Sequence, residues 1–219
     1  MAARSYNQYC AVARTLDVVG ERWSMLVVRE LLDGPRRYVD LLTGLTGVST
    51  DMLAARLRTL EQAGVVTRRT LPPPAASKVY ELTPLGHELR PVVTELARWG
   101  LRLLGEPGED DTFQIHWITP ALRAMFQPER ARDVTLTIEF RIGTDALHAQ
   151  VEHATLETRP GPAEAPDVVL TFDDAATLAE IGRDPATAAD AIATGRLRVR
   201  GDADVGRLFG LDNGVPMEP

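Results

Sequence analysis

Along the first hundred positions apolar residues recur at helical spacing, interrupted once by a stretch of alternation. Val12, Leu16 and Val19 share one face of a helix over residues 9–19. Trp23, Leu26, Val27, Glu30 and Leu31 continue the period over 21–32, where Asp33-Gly34-Pro35 imposes a turn. A short third helix is predicted at 38–45. The fourth is the best specified: Leu53, Leu57 and Leu60 lie on one face, Ser49 precedes them as an N-cap, and Gly64 follows as a C-terminal stop. Residues 65–71 and 78–82 then read as strands, and the Pro72-Pro73-Pro74 run between them marks a loop tip. Thr83-Pro84 opens a helix predicted to run to about Leu104 on Leu85, Leu89, Val92, Val93, Leu96, Trp99 and Leu103.

Past the acidic break at 105–111 the pattern changes. Phe113, Ile115 and Trp117 alternate as in a short strand, and 120–126 reads as a helix. Val134, Leu136, Ile138, Phe140 and Ile142 alternate with Thr135, Thr137, Glu139 and Arg141, the signature of a half-buried strand. A hairpin is predicted from 146–151 and 154–158 around Glu152-His153, then a strand at 167–172. Asp173-Asp174 caps a helix carrying Leu178 and Ile181; Asp184-Pro185 starts another that ends at Gly195. A last strand at 197–199 precedes a final helix opening at Asp202 with Val205, Leu208 and Phe209. The fold class is therefore α+β. The last three of the four helices, the hairpin and the helix after it make a winged helix-turn-helix, within residues 1–104; 105–111 is a linker, and 112–219 is an α+β sandwich.

Charge sharpens this division. Residues 1–104 carry 14 Lys and Arg against 10 Asp and Glu, a net of +4, whereas 105–219 carry 10 against 21, a net of −11. A polyanionic partner belongs to the first part. The outward face of the fourth helix is polar, slim at its start and basic in its middle, as a helix entering a DNA major groove requires. Ser49, Thr50, Asp51, Ala55 and Arg58 are placed to face bases. Arg36 and Arg37 before the third helix, Arg56, and the hairpin residues Arg68, Arg69 and Lys78 are placed for phosphates. Asp51 has two readings: it can accept from a cytosine amino group, or it can favour the helix N-terminus electrostatically.

No run of about 18 apolar residues is present, so no membrane span is expected, and without an apolar leader the chain is expected in the cytoplasm. One cysteine, Cys10, excludes an internal disulfide and a cysteine-rich metal site. His87, His116, His148 and His153 are scattered, and no HExxH, GxGxxG or nucleophile-elbow pattern occurs. No catalytic set, metal site or cofactor is expected.

Several blocks carry a family resemblance: residues 10–24, ending in Gly20-Glu21-Arg22-Trp23-Ser24; Gly34-Pro35-Arg36-Arg37-Tyr38-Val39-Asp40-Leu41; residues 48–68; and Tyr80-Glu81-Leu82-Thr83-Pro84-Leu85-Gly86. Over roughly 6–104 the chain resembles the HxlR-type winged helix-turn-helix regulators. The resemblance implies a homodimer on palindromic double-stranded operator DNA, repression as the default, and a dimer built from the terminal helices 9–19 and 84–104. Asp51 departs from the family, which more often has a basic or polar residue there. Some members sense oxidants or quinones through a cysteine near the N-terminus, which puts Cys10 forward, with Arg14 one turn along to lower its pKa; packing at a dimer helix is its other reading.

Asp167-Val168-Val169-Leu170-Thr171-Phe172, Asp184-Pro185-Ala186 and the series from Ala191 to Asp202 resemble a sterol-carrier-type domain covering about 112–212. Such domains hold lipid-like molecules in an apolar tunnel, here implying a hydrophobic small-molecule effector site. Its expected lining is Trp117, Phe126, Phe140, Phe172, Ile181, Ile192 and Phe209; the same residues could instead fill a closed core. The combined expectation is a dimeric DNA-binding regulator with an effector-sensing second domain. Two other readings stay open: oxidant sensing through Cys10, and a lipid-binding or carrier protein whose second domain is the primary activity.

Overall fold

A computed structural model describes residues 5–201 and 205–210. The chain divides into two compact units, Met1–Val93 and Thr94–Pro219. In the first, α1 (Ala11–Val19), α2 (Ser24–Leu31), α3 (Tyr38–Gly44) and α4 (Thr50–Gln62) precede a hairpin of β1 (Val66–Thr70) and β2 (Lys78–Leu82), then the single turn α5 (Pro84–His87); α6 (Arg90–Gly100) begins in this unit and ends in the second.

The core of this unit is aliphatic: Val27, Val28, Leu31, Leu41, Leu45, Leu53, Leu57 and Leu60 are fully or nearly fully buried. Val27, Leu31 and the α4 leucines lie on faces that the periodicity marks, whereas Val12, Leu16 and Leu26, marked by the same spacing, are exposed. Ser49 caps α4 by accepting a bond from the Met52 N–H at 3.2 Å. Gly47, at φ +86°, turns the chain between α3 and α4 with a backbone that other residues resist. Gly86 is required for a different reason: a Cβ there would lie 2.1 Å from the Val65 carbonyl oxygen, so α5 could not sit against the start of the hairpin.

The helix expected over 84–104 is three pieces: α5, α6 and a 3-10 turn at Leu101–Leu103. Pro91 has no N–H to bond back to residue 87, so the helix restarts there with the proline in its first turn. The boundary between the units falls inside α6, whereas the charge break lies at 105–111.

The second unit contains α7 (Thr119–Met125), β3 (Leu136–Ile142), β4 (Asp145–Glu152), β5 (Thr155–Pro160), β6 (Val168–Phe172), α8 (Ala175–Arg183), α9 (Ala188–Ala193) and β7 (Leu197–Gly201). The sheet order is β5-β4-β3-β6-β7; β3 and β6 run parallel and the other neighbours antiparallel. His153 and Ala154, both at positive φ, form the tight turn joining β4 and β5. Asp174 caps α8, its carboxylate accepting from the Thr177 N–H at 2.8 Å.

The strand expected at 113–117 is instead a 3-10 turn, Ile115–Ile118, leading into α7. Ile115 and Ile118, three apart, are the buried pair, and Pro120 sits in the first turn of α7, so the helical period wins over the alternation. Asp202, expected to open the final helix, lies outside the described residues; Gly206–Phe209 forms a 3-10 turn. Among the described residues no helix is long and apolar enough to cross a membrane.

Candidate functional site

The leucines that pack α4 into the core leave its opposite face in solvent. Ser49, Thr50, Asp51, Arg58 and Gln62 are exposed, and Ala54 and Ala55 are half-buried between them. Among the described residues no ion pair is found for the Arg58 side chain, so a cationic fork stands midway along a face whose first turns carry mostly small or acidic side chains. The Tyr38 hydroxyl donates to the Thr50 carbonyl at 2.8 Å, tying the start of α4 to α3. Nothing in the apolar spacing marks Tyr38, although an aromatic with a hydroxyl at the head of a helix before a turn is a candidate for such a tie. Nor does that spacing mark Met52, which is 40% exposed beside the α4 N-cap and offers an apolar contact of the kind that thymine methyls accept.

The hairpin is anchored on both sides. Arg36 and Tyr80 exchange backbone bonds, N–H to carbonyl at 2.9 and 2.8 Å, so the Arg36-Arg37 segment is fastened to β2. Arg68 on β1 bonds Glu61 on α4 at 2.8 Å and lies over the Tyr80 ring. Arg69 grips Glu81 through both carboxylate oxygens, at 2.9–3.0 Å. Hydrogen bonding to these carboxylates raises the pKa of both guanidiniums. Burial pushes the Tyr80 phenol up, against a smaller lowering by Arg68, so the ring stays neutral beneath the cation. Exposed ion pairs of this kind are weak in water, so a phosphate can displace Glu61 or Glu81. Lys78 and Arg37 are exposed, and among the described residues no ion pair is found for either side chain. The Arg36 Nε donates to the Glu30 carbonyl at 3.4 Å.

Arg56 does not join this set. Its side chain is only 15% exposed and lies against Glu21 at 3.5 Å, turned toward the α1–α2 connection. The spacing carries the signal: position 56 is three after Leu53 and four before Leu60, on the buried side of the helix, and residue type had outweighed geometry. Cys10 is the N-cap residue of α1 and is exposed. Arg14, expected to act on the thiol, instead directs its guanidinium to Asp17 at 3.5 Å and the Ser5 hydroxyl at 3.4 Å. The first of these contacts, with the Tyr6 N–H foremost, holds Asp17 below the usual carboxylate range. Val12 and Leu16 leave an apolar stripe of α1 uncovered, with the exposed Tyr9 just before the helix, and Val92, Leu96 and Trp99 do the same on α6.

In the second unit the expected effector residues separate. Phe126 and Phe209 rings lie 6.2 Å apart, and Phe140 meets Phe209 edge-on at 6.4 Å. With Phe172 and Ile181 they belong to the packed core, where a void of only about 60 Å³ remains beside Phe140, Phe172, Ile181 and Phe209. Ile192 packs on that core, and neither it nor Phe126 lines this void or the larger cavity. That cavity is elsewhere. It measures about 550 Å³ and is bounded by the 3-10 turn through Leu101 and Leu103, by Phe113 and Trp117, by α7 and by α8. Trp117 is the one expected residue on its wall. Alternation cannot tell an aromatic that fills a core from one that borders a hole, and residues 101–107 come from a stretch read as helix end and linker.

Comparison with known proteins places the first unit. The family model described as HxlR-like helix-turn-helix matches residues 18–107. The HTH-type transcriptional regulator YodB of Bacillus subtilis is 36% identical over 92 residues, 42% of this chain and 81% of its own. An HTH-type transcriptional regulator of Synechocystis is 38% identical over 91 residues, 42% of this chain and 67% of its own. YtfH of Escherichia coli is 36% identical over 94 residues, 43% and 75% respectively. Among solved structures, reduced YodB from B. subtilis is 33% identical and aligns over 47% of this chain and all of its own, with a TM-score of 0.39.

Proposed function

Through the segment 18–107 this chain belongs to the HxlR-like helix-turn-helix family of transcriptional regulators, and we propose that it is a homodimeric repressor reading operator DNA with α4. The observation that carries the DNA reading is the exposed face of α4, with its first turn pinned by Tyr38 and the Arg58 fork unpaired beside a basic hairpin. Arg58 reads a base, Arg37 and Lys78 hold phosphates, and Arg68 and Arg69 do so after exchanging their carboxylates. The exposed stripes on α1 and α6 supply a dimer interface; Val92, Leu96 and Trp99 follow one another at spacings of four and three.

Selection of duplexes from a random pool by the full chain tests the reading. A palindromic consensus bound with a steep salt dependence is expected; enrichment of nothing would overturn it. Leu96→Glu should give a monomer by light scattering and lose cooperative operator binding.

The second unit is read as an effector module for a hydrophobic small molecule, on a sterol-carrier-like frame. The apolar cavity of about 550 Å³ supports this, since it falls within the range of small-molecule sites. A ligand changes DNA affinity only by as much as it prefers one arrangement of the protein over another. An operator titration with and without ligand measures that difference.

A second reading, oxidant sensing, is favoured by the exposed Cys10 thiol at the head of α1. Loss of an oxidant response in Cys10→Ser would support it, and an undiminished response would end it.

A further inference from the structure

Building on the effector reading of the second unit, we propose that the cavity of about 550 Å³ takes a lipophilic cation bearing aromatic groups and discriminates against carboxylate amphiphiles such as fatty acids. The wall is mostly apolar: Leu101, Leu122, Met125 and Leu178 are representative, and Phe113 and Trp117 add aromatic surface. A site of this volume suits a drug-sized molecule. Class is decided by the ionisable side chains on the wall, which are Glu106 and Asp111; no lysine, arginine or histidine is among the lining residues.

The acidic residues differ in how they are held. Asp111 accepts a bond from the Gly108 N–H at 2.8 Å, which fixes the carboxylate in a tight turn. Glu106 is exposed, with no ion pair found among the described residues. Arg183 donates to the Leu104 carbonyl at 2.6 Å from outside the wall and is not among its lining residues. A fatty-acid carboxylate entering here meets two like charges on the wall and no lysine, arginine or histidine among the lining residues. A cation meets the opposite field and, with Phe113 and Trp117 on the wall, aromatic surface of the kind that attracts positive charge.

Gly182 adds a steric argument. A Cβ there would lie 3.2 Å from a Leu101 methyl and 3.9 Å from the Met125 sulfur, so α8, the 3-10 turn and α7 converge closely at that point. The cavity is thus bounded by the segment that directly follows α6. Occupancy bears on the course of the chain leaving a helix that carries an exposed apolar stripe.

Tetraphenylphosphonium and tetraphenylborate have nearly the same size and shape and opposite charge. Calorimetric titration of the full chain with each, and with decanoate, at one fixed salt concentration tests the proposal. Tetraphenylphosphonium is expected to bind at least tenfold more tightly than the borate. Ala121→Trp, which fills the cavity from α7, should weaken the phosphonium at least tenfold. The double variant Glu106→Gln, Asp111→Asn should cut its preference over the borate at least threefold; Glu106→Gln alone, at an exposed position, keeps the test valid if Ala121→Trp fails to fold.

Equal or tighter binding of the borate or decanoate overturns the inference, as does no binding of either tetraphenyl ion, or phosphonium binding undiminished by a folded Ala121→Trp. Its failure and that of the effector reading are separable. If decanoate binds and shifts operator affinity, the charge preference is wrong and the effector reading stands. If the phosphonium binds with the expected preference and operator affinity does not change, the site is right and the effector reading falls.

Discussion

Removing the Ser49 hydroxyl takes one hydrogen bond from the start of α4, and its consequences can be followed in two independent measurements. The Oγ accepts from the Met52 N–H at 3.2 Å in an exposed position. Replacing an N-cap serine by alanine costs about 0.5–2 kcal/mol, typically near 1. Because water reaches the freed N–H, the middle of that range applies. A change of ~1 kcal/mol raises the open population about fivefold. Leu57 and Leu60 are core residues beyond the first turn of this helix, so their amides report opening of the unit rather than fraying of its end. Native-state hydrogen exchange on the full chain should show them about fivefold faster in Ser49→Ala, nearly unchanged in Ser49→Gly, and at wild-type rates in Ser49→Asp. Operator binding separates the cap from the contact. Ser49→Asp keeps the cap and places a carboxylate toward DNA, so it should bind worst while remaining stable. Wild-type exchange in Ser49→Ala, or faster exchange in Ser49→Gly than in Ser49→Ala, would refute the capping argument.

Arg58→Ala should weaken operator binding by the ~1–3 kcal/mol of a lost bidentate base contact per half-site and leave nonspecific binding nearly intact. Equal losses at one fixed salt concentration would make it a phosphate contact. Arg37→Ala should weaken both and lower the salt slope by about one per half-site. Leu57→Ala, at a side chain 1% exposed, should cost about 2–5 kcal/mol and bring the first unit close to unfolding, read by denaturant melts. The Asp174 carboxyl is held below its usual 3.8 first by the Thr177 N–H, so the cap's contribution is fully present above pH ~3.8 and is lost as pH falls through the lower folded value. Asp174→Asn should therefore flatten acid unfolding of the second unit below that pH, and leave its shape above unaltered.

Local chemistry was the legible part of the fold. Ser49, Gly64, the triple proline and Asp174 each mark an element end by a property of one residue, and the elements end there. What was missed depends on neighbours. The apolar spacing from Leu85 to Leu103 runs through Pro91 without a break, so only the missing N–H betrays the helix restart. Phe113, Ile115 and Trp117 alternate in sequence while Ile115 and Ile118 do the packing. For the interface, the outward face of α4 could be read directly from its periodicity, but the carboxylates holding Arg68 and Arg69 come from other elements, and so does Glu21, which draws Arg56 inward. In the second unit the aromatic positions were identifiable and their packing was not: Phe126, Phe140 and Phe209 find one another across three separate segments.

The sheet order has a consequence in time. Every contact of the first unit is available once Val93 has been made, and those contacts are mainly between neighbouring helices and one hairpin. In the second unit β3 must wait for β6, its parallel neighbour, with β4 and β5 synthesised in between, and β7 closes the far edge later still. Sequence-distant pairing of this type is slow. At roughly 5–20 residues per second the rest of the chain takes on the order of ten seconds to emerge. Each newly made molecule therefore passes through an interval in which the helix-turn-helix can be folded before the second unit exists.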